Sequence, residues 1–477
     1  MRTSKIALTA ASLAMLVSCG GGGGSGGNNN TGTVPTPTPT PTTATCSLSA
    51  RQDFTLAVFN EWYLFPDLFN ASVNKASHTN LQSYIDALVA PARAQSRDRF
   101  FSYVTSIAEE EAFASTGASA GFGFRLAYDT ANRQVFVIET FEGTAALGAN
   151  LDRGTELLAI GTSTNNLQTV NSLMATGGPG AVSDALGPST AGTSRVLRVR
   201  DQSGVEREIA LTKTEFELDP VSNRYGAQII NDGGKLVGYL NLRTFSVESA
   251  EADLLAAFED FRAAGVTELI IDFRYNGGGF IYIAEILGDL MGRGREGQVF
   301  ERINFRPSKA AENEIYRFTA RAQSIAPTRI AFIGTGSTAS ASELVINGMQ
   351  PYVDDIALIG TNTFGKPVGQ SAFDRPACDD RLRVVTLQIA NADNEGDYYT
   401  GLASTVPNTC RANDDIGFQM GDPREQMTAV ALDYLAGRTC TAIAGGPATT
   451  AAAIDSGVLA PELSERTAAQ HETPGLF

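Results

Sequence analysis

The spacing of apolar residues divides the chain into regions with different periods. Between residues 47 and 115, apolar side chains such as Val58 and Trp62 recur three or four positions apart, which predicts amphipathic helices. Between residues 121 and 211, short apolar runs are separated by Gly-rich connections, which predicts strands. The folded part therefore begins with a small helical domain, followed by a β-rich domain.

From residue 236 onward, apolar runs of strand length alternate with segments of helical period. Alternation of this kind is typical of a layered α/β core. We expect a multidomain α/β protein whose core contains these elements: strands at residues 236–242, 268–273, 329–333, 356–359 and 384–389, and helices at residues 250–264, 282–291, 341–349 and 423–435.

The first 19 residues have the layout of a secretory signal. Arg2 and Lys5 precede the apolar run at residues 6–17, which is too short to span a bilayer. The run ends in Leu-Val-Ser followed by Cys19, the pattern of a lipobox, so we expect Cys19 to be lipidated. Gly20 follows, as in bacterial lipoproteins sorted to the outer membrane. We therefore expect a lipid-anchored protein on the periplasmic face of the cell envelope.

Residues 20–45 are rich in Gly and Asn and then in a Pro-Thr repeat, which is the composition of a linker. The expected organisation is a signal peptide at 1–19, a linker at 20–45, a helical domain at 46–115, a β-rich domain at 118–215, a core at 216–440 and a flexible tail at 441–477.

Composition excludes several classes of function. Asp and Glu outnumber Lys and Arg by 52 to 36, for a net charge of −16, and the basic residues form no long cluster, so we expect no nucleic-acid partner. The only histidines are His78 and His471. We expect no metal and no organic cofactor, and we expect neither histidine to carry the chemistry.

Four cysteines remain after Cys19, and none forms a Cys-x-x-Cys motif. An even number in an exported protein predicts two disulfides, for which three pairings are possible, although free buried thiols are the alternative. We favour Cys378 with Cys410 and Cys46 with Cys440, because the second pair would join the start of the folded part to the end of its last helix.

Three loops with unusual residues follow predicted strands, at residues 272–279, 337–343 and 363–370. The carboxyl ends of strands are where α/β folds bind ligands. Ser340 lies at a turn from strand to helix, where free N–H groups and the helix dipole stabilise developing negative charge. Taken alone, the serine loop would be an ordinary helix cap and the triple glycine at 277–279 an ordinary turn.

The β-rich region resembles a PDZ domain. The resemblance rests on the loop Gly121-Phe122-Gly123-Phe124 and on the segments 143–146 and 154–160. In PDZ domains such a loop offers backbone N–H groups to the terminal carboxylate of a peptide that adds a strand to the sheet edge. The resemblance therefore implies peptide binding at these four residues, whereas a plain β module is the alternative. The Gly- and Pro-interrupted stretch at 177–186 lies where the groove helix is expected.

Together, the three loops resemble the S41 peptidases, the carboxyl-terminal processing and tail-specific protease family. Residues 271–279, 338–343 and 363–366 match the family in order and spacing. The resemblance implies the following roles: nucleophile for Ser340, general base for Lys366, orienting partner of the lysine for Gln370, and oxyanion donors from Gly278 and Ala341.

Serine–lysine pairs are a known variant of the catalytic triad, and a desolvated lysine can act in its neutral form. We therefore expect a serine endopeptidase that cleaves polypeptides through an acyl-enzyme. The competing hypothesis is a catalytically silent, peptide-binding lipoprotein scaffold, and a weaker third is a crotonase-like acyl-CoA enzyme. The sequence leaves the substrate and the oligomeric state open.

Overall fold

The structure, a computed structural model, describes residues 46–444 and 456–477. The predicted signal peptide, the lipidation site Cys19 and the linker lie outside the described residues. None of the described helices is both long and apolar enough to cross a membrane.

The first described region is helical, as expected. Ser47, Asn80 and Ser106 begin its three helices, and each side chain accepts a hydrogen bond from the N–H three residues further on. Gly117 ends the third helix with a φ of 74°, a conformation that favours glycine. The elements are α1 (Leu48–Trp62), α2 (Leu81–Ala94), strand β1 (Tyr103–Ser106) and α3 (Ile107–Thr116).

The next region, which we call the β module, covers residues 118–217. Its main sheet is antiparallel with the order β3-β4-β5-β7-β8. The predicted interruption of its helix is a kink at Gly178, whose φ is 64°, and the helix continues to Leu186. The elements are β2 (Ala118–Gly121), β3 (Phe124–Asp129), β4 (Gln134–Thr140), α4 (Ala145–Gly148), β5 (Glu156–Gly161), β6 (Gln168–Thr169), α5 (Val170–Leu186), β7 (Ser194–Arg200), β8 (Glu206–Thr212) and β9 (Thr214–Glu217).

The core alternates strands and helices at the predicted places. Its elements are β10 (Ala227–Asp232), β11 (Lys235–Asn241), α6 (Ala250–Ala263), β12 (Glu268–Asp272), α7 (Ile281–Met291), β13 (Val299–Phe305), β14 (Glu314–Arg317), β15 (Arg329–Gly334), α8 (Ala341–Met349), β16 (Asp355–Gly360), β17 (Val368–Arg375), β18 (Asp380–Ala390), β19 (Asn408–Arg411) and α9 (Gln426–Leu435). Short 3₁₀ helices lie at Pro66–Leu68, Lys75–Ser77, Thr164–Asn166, Pro307–Glu312, Pro376–Cys378, Leu402–Ser404 and Leu463–Glu465.

The central sheet has the order β10-β11-β12-β15-β16-β19, and every pair except β10–β11 is parallel. Alternate residues of β12 face opposite layers. Leu269 and Ile271 pack with helices α6, α7 and α8, whereas Ile270 packs with α9. Burial on both faces explains why these strands read as continuous apolar runs. The layered α/β fold predicted from the sequence is confirmed.

A second sheet crosses the boundary between the helical region and the core. It has the order β1-β18-β13-β14, and β17 pairs in antiparallel direction with residues 380–388 of β18. The hydrophobic pattern did not reveal β1, β13, β14 or β17, because these strands are short or lack a regular alternation of buried and exposed positions. The consequence is that the helical region contributes a strand to the core.

The end of the sequence is packed, which differs from the expected flexible tail. Strand β20 (Ser456–Val458) pairs with β3, and a short helix, α10 (Ala468–Glu472), follows it. Leu476 and Phe477 are each only 1% exposed. The Ala- and Thr-rich composition of the region masked these few apolar residues, which have no regular period.

Both disulfides differ from the favoured pairing. Cys46 is bonded to Cys378 and Cys410 to Cys440, each with a Cα–Cα distance of 5.4 Å. The physical reason is topology: helix α1 packs against β18, beside the turn that carries Cys378, whereas Cys410 lies on β19 at the edge of the central sheet.

A buried charge network fixes the loop that follows β12. The guanidinium of Arg274 is fully buried and donates to Asp272 at 2.7 Å, to Asp414 at 2.8 Å and to Glu425 at 3.0 Å. Glu425 caps helix α9 by accepting from two N–H groups of its first turn. The loop after β12 is thereby tied to α9.

We expect Arg274→Met to lower the free energy of unfolding by about 3–5 kcal/mol, because it leaves buried carboxylates without their cation. Urea unfolding followed by circular dichroism measures the change. The matched control is Arg424→Met, which removes an exposed guanidinium paired with Asp422. Equal unfolding midpoints for the two variants would contradict the assigned role of the network.

Candidate active site

Ser340 lies between β15 and α8 in a backbone conformation that is rare for a serine. Its φ is 56° and its ψ is −116°, and it is the N-cap of α8. Such conformations cost about 1–3 kcal/mol and persist only where the surroundings enforce them. The Ser340 carbonyl accepts from Leu344 N at 2.8 Å, and its N–H donates to Glu343 Oε2 at 3.1 Å. The turn is therefore held at both of its peptide groups.

The carboxylate of Glu343 joins the serine turn to the lysine loop. Glu343 is completely buried. Besides the Ser340 N–H, it accepts from Lys366 N at 2.7 Å, Gly365 N at 2.7 Å and Thr363 Oγ1 at 2.6 Å. Burial raises the pKa of Glu343, although these hydrogen bonds act in the opposite direction. Since Ser340 and Lys366 donate to the same oxygen, the two segments have a fixed relative position.

The ammonium of Lys366 contacts one side-chain amide and one aromatic ring. It donates to Gln370 Oε1 at 3.0 Å and lies 5.1 Å from the ring centroid of Phe101. Gln370 Nε2 in turn donates to the Phe101 carbonyl. Burial lowers the pKa of Lys366, whereas the charges of Glu472 and Asp98 raise it. The lysine is thus held partly out of water in an oriented position.

The triple-glycine loop packs directly on the serine turn. The Asn276 carbonyl accepts from Ala339 N at 3.1 Å, and the Gly278 carbonyl accepts from Phe245 N at 2.8 Å. A Cβ atom placed on Gly278 would lie only 2.7 Å from Ser340 Cβ. The φ of Gly278 is 108°. Only glycine fits this position, both for space and for backbone conformation.

The two predicted oxyanion donors differ in their surroundings. Ala341 is the first residue of α8, where a backbone N–H has no acceptor within the helix. The N–H of Gly278 instead donates to the side chain of Asn276 at 2.9 Å. Gly278 can bind an oxyanion only after Asn276 releases it, so this assignment stays a prediction.

The loop predicted to bind peptides contacts the end of the sequence. Gly123 and Phe124 donate their N–H groups to the backbone oxygen of Phe477 at 3.0 and 3.3 Å. Gly121 and Phe122 flank this contact, and a Cβ on Gly121 would meet the Phe477 carbonyl carbon at 2.7 Å. Peptide binding by another polypeptide stays a prediction.

The two histidines differ in their relation to the site. His78 packs against Tyr84 in the helical region, away from both loops. His471 stacks on Tyr103 with ring centroids 4.0 Å apart, and its pKa is lowered to about 3 by burial and by the charges of Arg466 and Lys366. The tail histidine therefore lies near Lys366 in the fold. It is nevertheless neutral at physiological pH.

Sequence reasoning gave no role to Glu343 or Asn276. The Ser-x-x-Glu spacing of Ser340 and Glu343 is that of a capping box, which could have marked the glutamate as the partner of the serine turn. No comparable signal points to the Phe101 carbonyl, because it reaches Gln370 only through the fold. Within residues 46–444 and 456–477, no group of three or more His, Cys, Asp or Glu could hold a metal ion.

Comparison with known proteins finds a family match within the core of the chain. Residues 236–400 match the sequence model of peptidase family S41. Over 331 residues the chain is 24% identical to the carboxyl-terminal-processing protease of Picosynechococcus sp., covering 67% of this chain and 71% of the relative. It is 27% identical over 258 residues to the carboxy-terminal-processing protease of Bartonella bacilliformis, covering 52% of each. The chain therefore spans about half of the latter relative.

Among solved structures, the fold is similar to that of a protein named as an S41 protease from Bacteroides fragilis. The TM-score is 0.62 at 22% sequence identity, and the alignment covers 80% of this chain and 97% of the other. The similarity extends well beyond residues 236–400, so the regions around the core share the fold as well.

We expect Gly278→Ala to slow labelling of Ser340 by a fluorophosphonate about a hundredfold, because the new Cβ displaces the serine turn. Gly294→Ala is the control, since Gly294 also has a positive φ of 83° but nothing within 4 Å of its Cβ position. Both variants bear backbone strain, and only the first pushes on Ser340. Equal labelling rates would show that the contact does not position the serine.

Proposed function

We propose that this chain, whose residues 236–400 form a peptidase domain of family S41, is a serine endopeptidase that uses Ser340 and Lys366. The observation that carries the proposal is the shared carboxylate of Glu343, which accepts from the N–H groups of both residues. This carboxylate fixes the position of Ser340 relative to Lys366. The low-pKa lysine beside it supplies the base that the chain's two histidines do not.

The first step is an attack on the peptide carbonyl. Neutral Lys366 takes the proton of the Ser340 hydroxyl, and the serine oxygen forms a bond to the carbonyl carbon. The negative charge then rests on the carbonyl oxygen, where the N–H of Ala341 at the start of α8 stabilises it. Gly278 becomes the second donor once its N–H turns from Asn276 to the oxyanion.

The second step releases the first product. The protonated Lys366 gives its proton to the leaving amine as the carbon–nitrogen bond breaks, which leaves an acyl-enzyme on Ser340. Water, deprotonated by the same lysine, then attacks the ester carbonyl and restores the serine hydroxyl. Every proton removed by the lysine is returned, so the cycle needs no cofactor.

Gln370 and Glu343 are positioning residues in this scheme. Gln370 accepts from the lysine ammonium and is anchored by the Phe101 carbonyl, which sets the direction of the lysine side chain. Both carboxylate oxygens of Glu343 accept hydrogen bonds from N–H or hydroxyl groups of the protein. It therefore fixes the loop geometry and takes no proton from the substrate.

The β module is the proposed site of substrate capture. Its resemblance to a PDZ domain is supported by the extended segment along β3 and by the two N–H groups that bind a backbone oxygen. A catalytically silent peptide-binding protein would use the same surface. That alternative is favoured by the hydrogen bond from Gly278 N–H to the side chain of Asn276, which occupies one of the two predicted oxyanion donors. The variants below distinguish the two functions.

We expect Ser340→Ala, Lys366→Ala and the double variant to lose peptidase activity to the same extent, by roughly a thousandfold or more, because each residue is inactive without the other. Lys366→Arg should not restore activity, since arginine stays protonated. Turnover of a fluorogenic peptide measures the effect. Ser337→Ala, in the same loop, is the control and should keep activity.

Activity should rise with pH as Lys366 loses its proton. Because burial lowers the pKa of this lysine, half-maximal activity should lie below the ordinary lysine value of 10.5. Retention of wild-type turnover by Ser340→Ala would instead support the scaffold function or another nucleophile.

We further propose attachment to a membrane through Cys19. Cys19→Ser should move the protein from the membrane to the soluble fraction, because the thiol that carries the acyl chains is removed. Stable attachment needs more than one acyl chain. Fractionation followed by immunoblotting measures the distribution, and Ser18→Ala is a neighbouring control. Membrane retention of the Cys19→Ser protein would rule out this anchor.

A further inference from the structure

The tail segment, residues 456–477, runs along the free edge of β3. Residues 456–458 pair with the second half of β3, and residues 475–477 follow the first half in antiparallel direction. Leu126 N donates to the Gly475 carbonyl at 3.0 Å, and Phe477 N donates to the Phe124 carbonyl at 3.0 Å. The tail segment thus occupies the hydrogen-bonding edge that an incoming extended polypeptide would need.

The side chain of Phe477 fills an apolar pocket of the β module. It belongs to a buried cluster formed by the Phe122–Phe124 loop and by side chains of α5, among them Leu173 and Leu186. Its backbone oxygen accepts from Gly123 and Phe124. The groove therefore combines a deep apolar pocket with two N–H donors at its closed end.

Between these contacts the tail segment passes the candidate active site. Glu472 accepts from the Tyr103 hydroxyl at 3.0 Å and from the Ser246 hydroxyl at 2.5 Å. Its carbonyl oxygen lies 3.2 Å from the Cβ position of Gly277, in the triple-glycine loop. The neighbouring His471 stacks on Tyr103. The segment therefore covers the loop that packs on Ser340.

The charge of Glu472 also acts on the lysine. It is the largest of the charges that raise the pKa of Lys366 against the effect of burial. Raising this pKa favours the ammonium, which cannot accept the serine proton. The tail segment therefore opposes the proposed reaction in two ways, by covering the loop and by stabilising the inactive protonation state.

We propose that residues 456–477 are a built-in inhibitor, which occupies the edge of β3 and covers the loop that packs on Ser340, and that activity requires their release from β3. The inference rests on the proposed peptidase function for its activity, but the docking of the segment stands on its own contacts. Three contacts hold the segment: its extended backbone on the edge of β3, the side chain of Phe477 in the apolar pocket, and the oxygen of Phe477 on the N–H groups of Gly123 and Phe124.

The first test is Phe477→Asp, which places a charge in the apolar pocket. Turnover of a short fluorogenic peptide should increase roughly ten- to hundredfold, as expected when a predominantly closed state opens. Glu465→Ala, an exposed residue of the same segment, is the control and should leave turnover unchanged. Active enzyme is counted by fluorophosphonate labelling, and Phe477→Ala serves as a milder variant if the charged one does not fold.

A synthetic peptide of residues 456–477, added in trans to Phe477→Asp, should restore inhibition. A purely structural role of the tail would not give this result, because a folding defect is not cured by a separate peptide. Unchanged turnover in folded Phe477→Asp and Phe477→Ala would overturn the inference.

Binding is measured separately in Ser340→Ala protein, so that it does not depend on activity. A fluorescein-labelled decapeptide with the sequence of residues 468–477 should bind the Phe477→Asp form at least tenfold more tightly than the form with an intact tail. Peptides that carry either a carboxylate or an amide after Phe477 show whether the N–H groups of Gly123 and Phe124 require a carboxylate. Peptide binding without turnover by any variant would support docking of the tail segment and contradict the peptidase function. Turnover without tighter peptide binding by the Phe477→Asp form would support the peptidase function and contradict the docking.

Discussion

One buried carboxylate determines whether the candidate site exists as a unit. Glu343 lies at the start of α8 and reaches across to the loop after β16, where it binds the N–H groups of Gly365 and Lys366. It adds to the direct backbone hydrogen bond from Phe364 N to the Thr338 carbonyl, at 2.9 Å, in joining the serine turn to the lysine loop. Burial raises the pKa of Glu343, and the hydrogen bonds from the four donors around it act in the opposite direction.

The parallel sheet explains why a single side chain can do this. Strands β12, β15 and β16 are neighbours with the same direction, so their carboxyl ends bring the glycine, serine and lysine loops together. The buried ion pairs of Arg274 fix the glycine loop, and Glu343 joins the serine loop to the lysine loop. The antiparallel sheet then supplies Gln370 from β17 and, through β1, the region that contains Phe101. The site is thus built on two sheets.

The sequence was sufficient for the local parts of this picture and insufficient for the contacts between distant parts. The strands and helices of the core could be predicted because burial on both faces gives long apolar runs, as at residues 268–272. The roles predicted for Ser340, Lys366 and Gln370 came from the resemblance of their loops to a known peptidase family. The disulfide pairing, the Phe101 carbonyl and the tail contacts depend on which surfaces meet after folding, and residues such as Leu476 and Phe477 have no periodic pattern that reveals their burial.

The disulfide between Cys46 and Cys378 has a mechanical consequence. Cys46 is the first residue that the structure describes, so a pulling force applied through the preceding residues would reach the described region at this cysteine. The covalent bond would pass part of such a load directly into the turn between β17 and β18, within a sheet of five strands, instead of through helix α1 alone. A reducing environment would remove this connection and let a pulling force unwind the helical region first, before it disturbs the strand that carries Gln370.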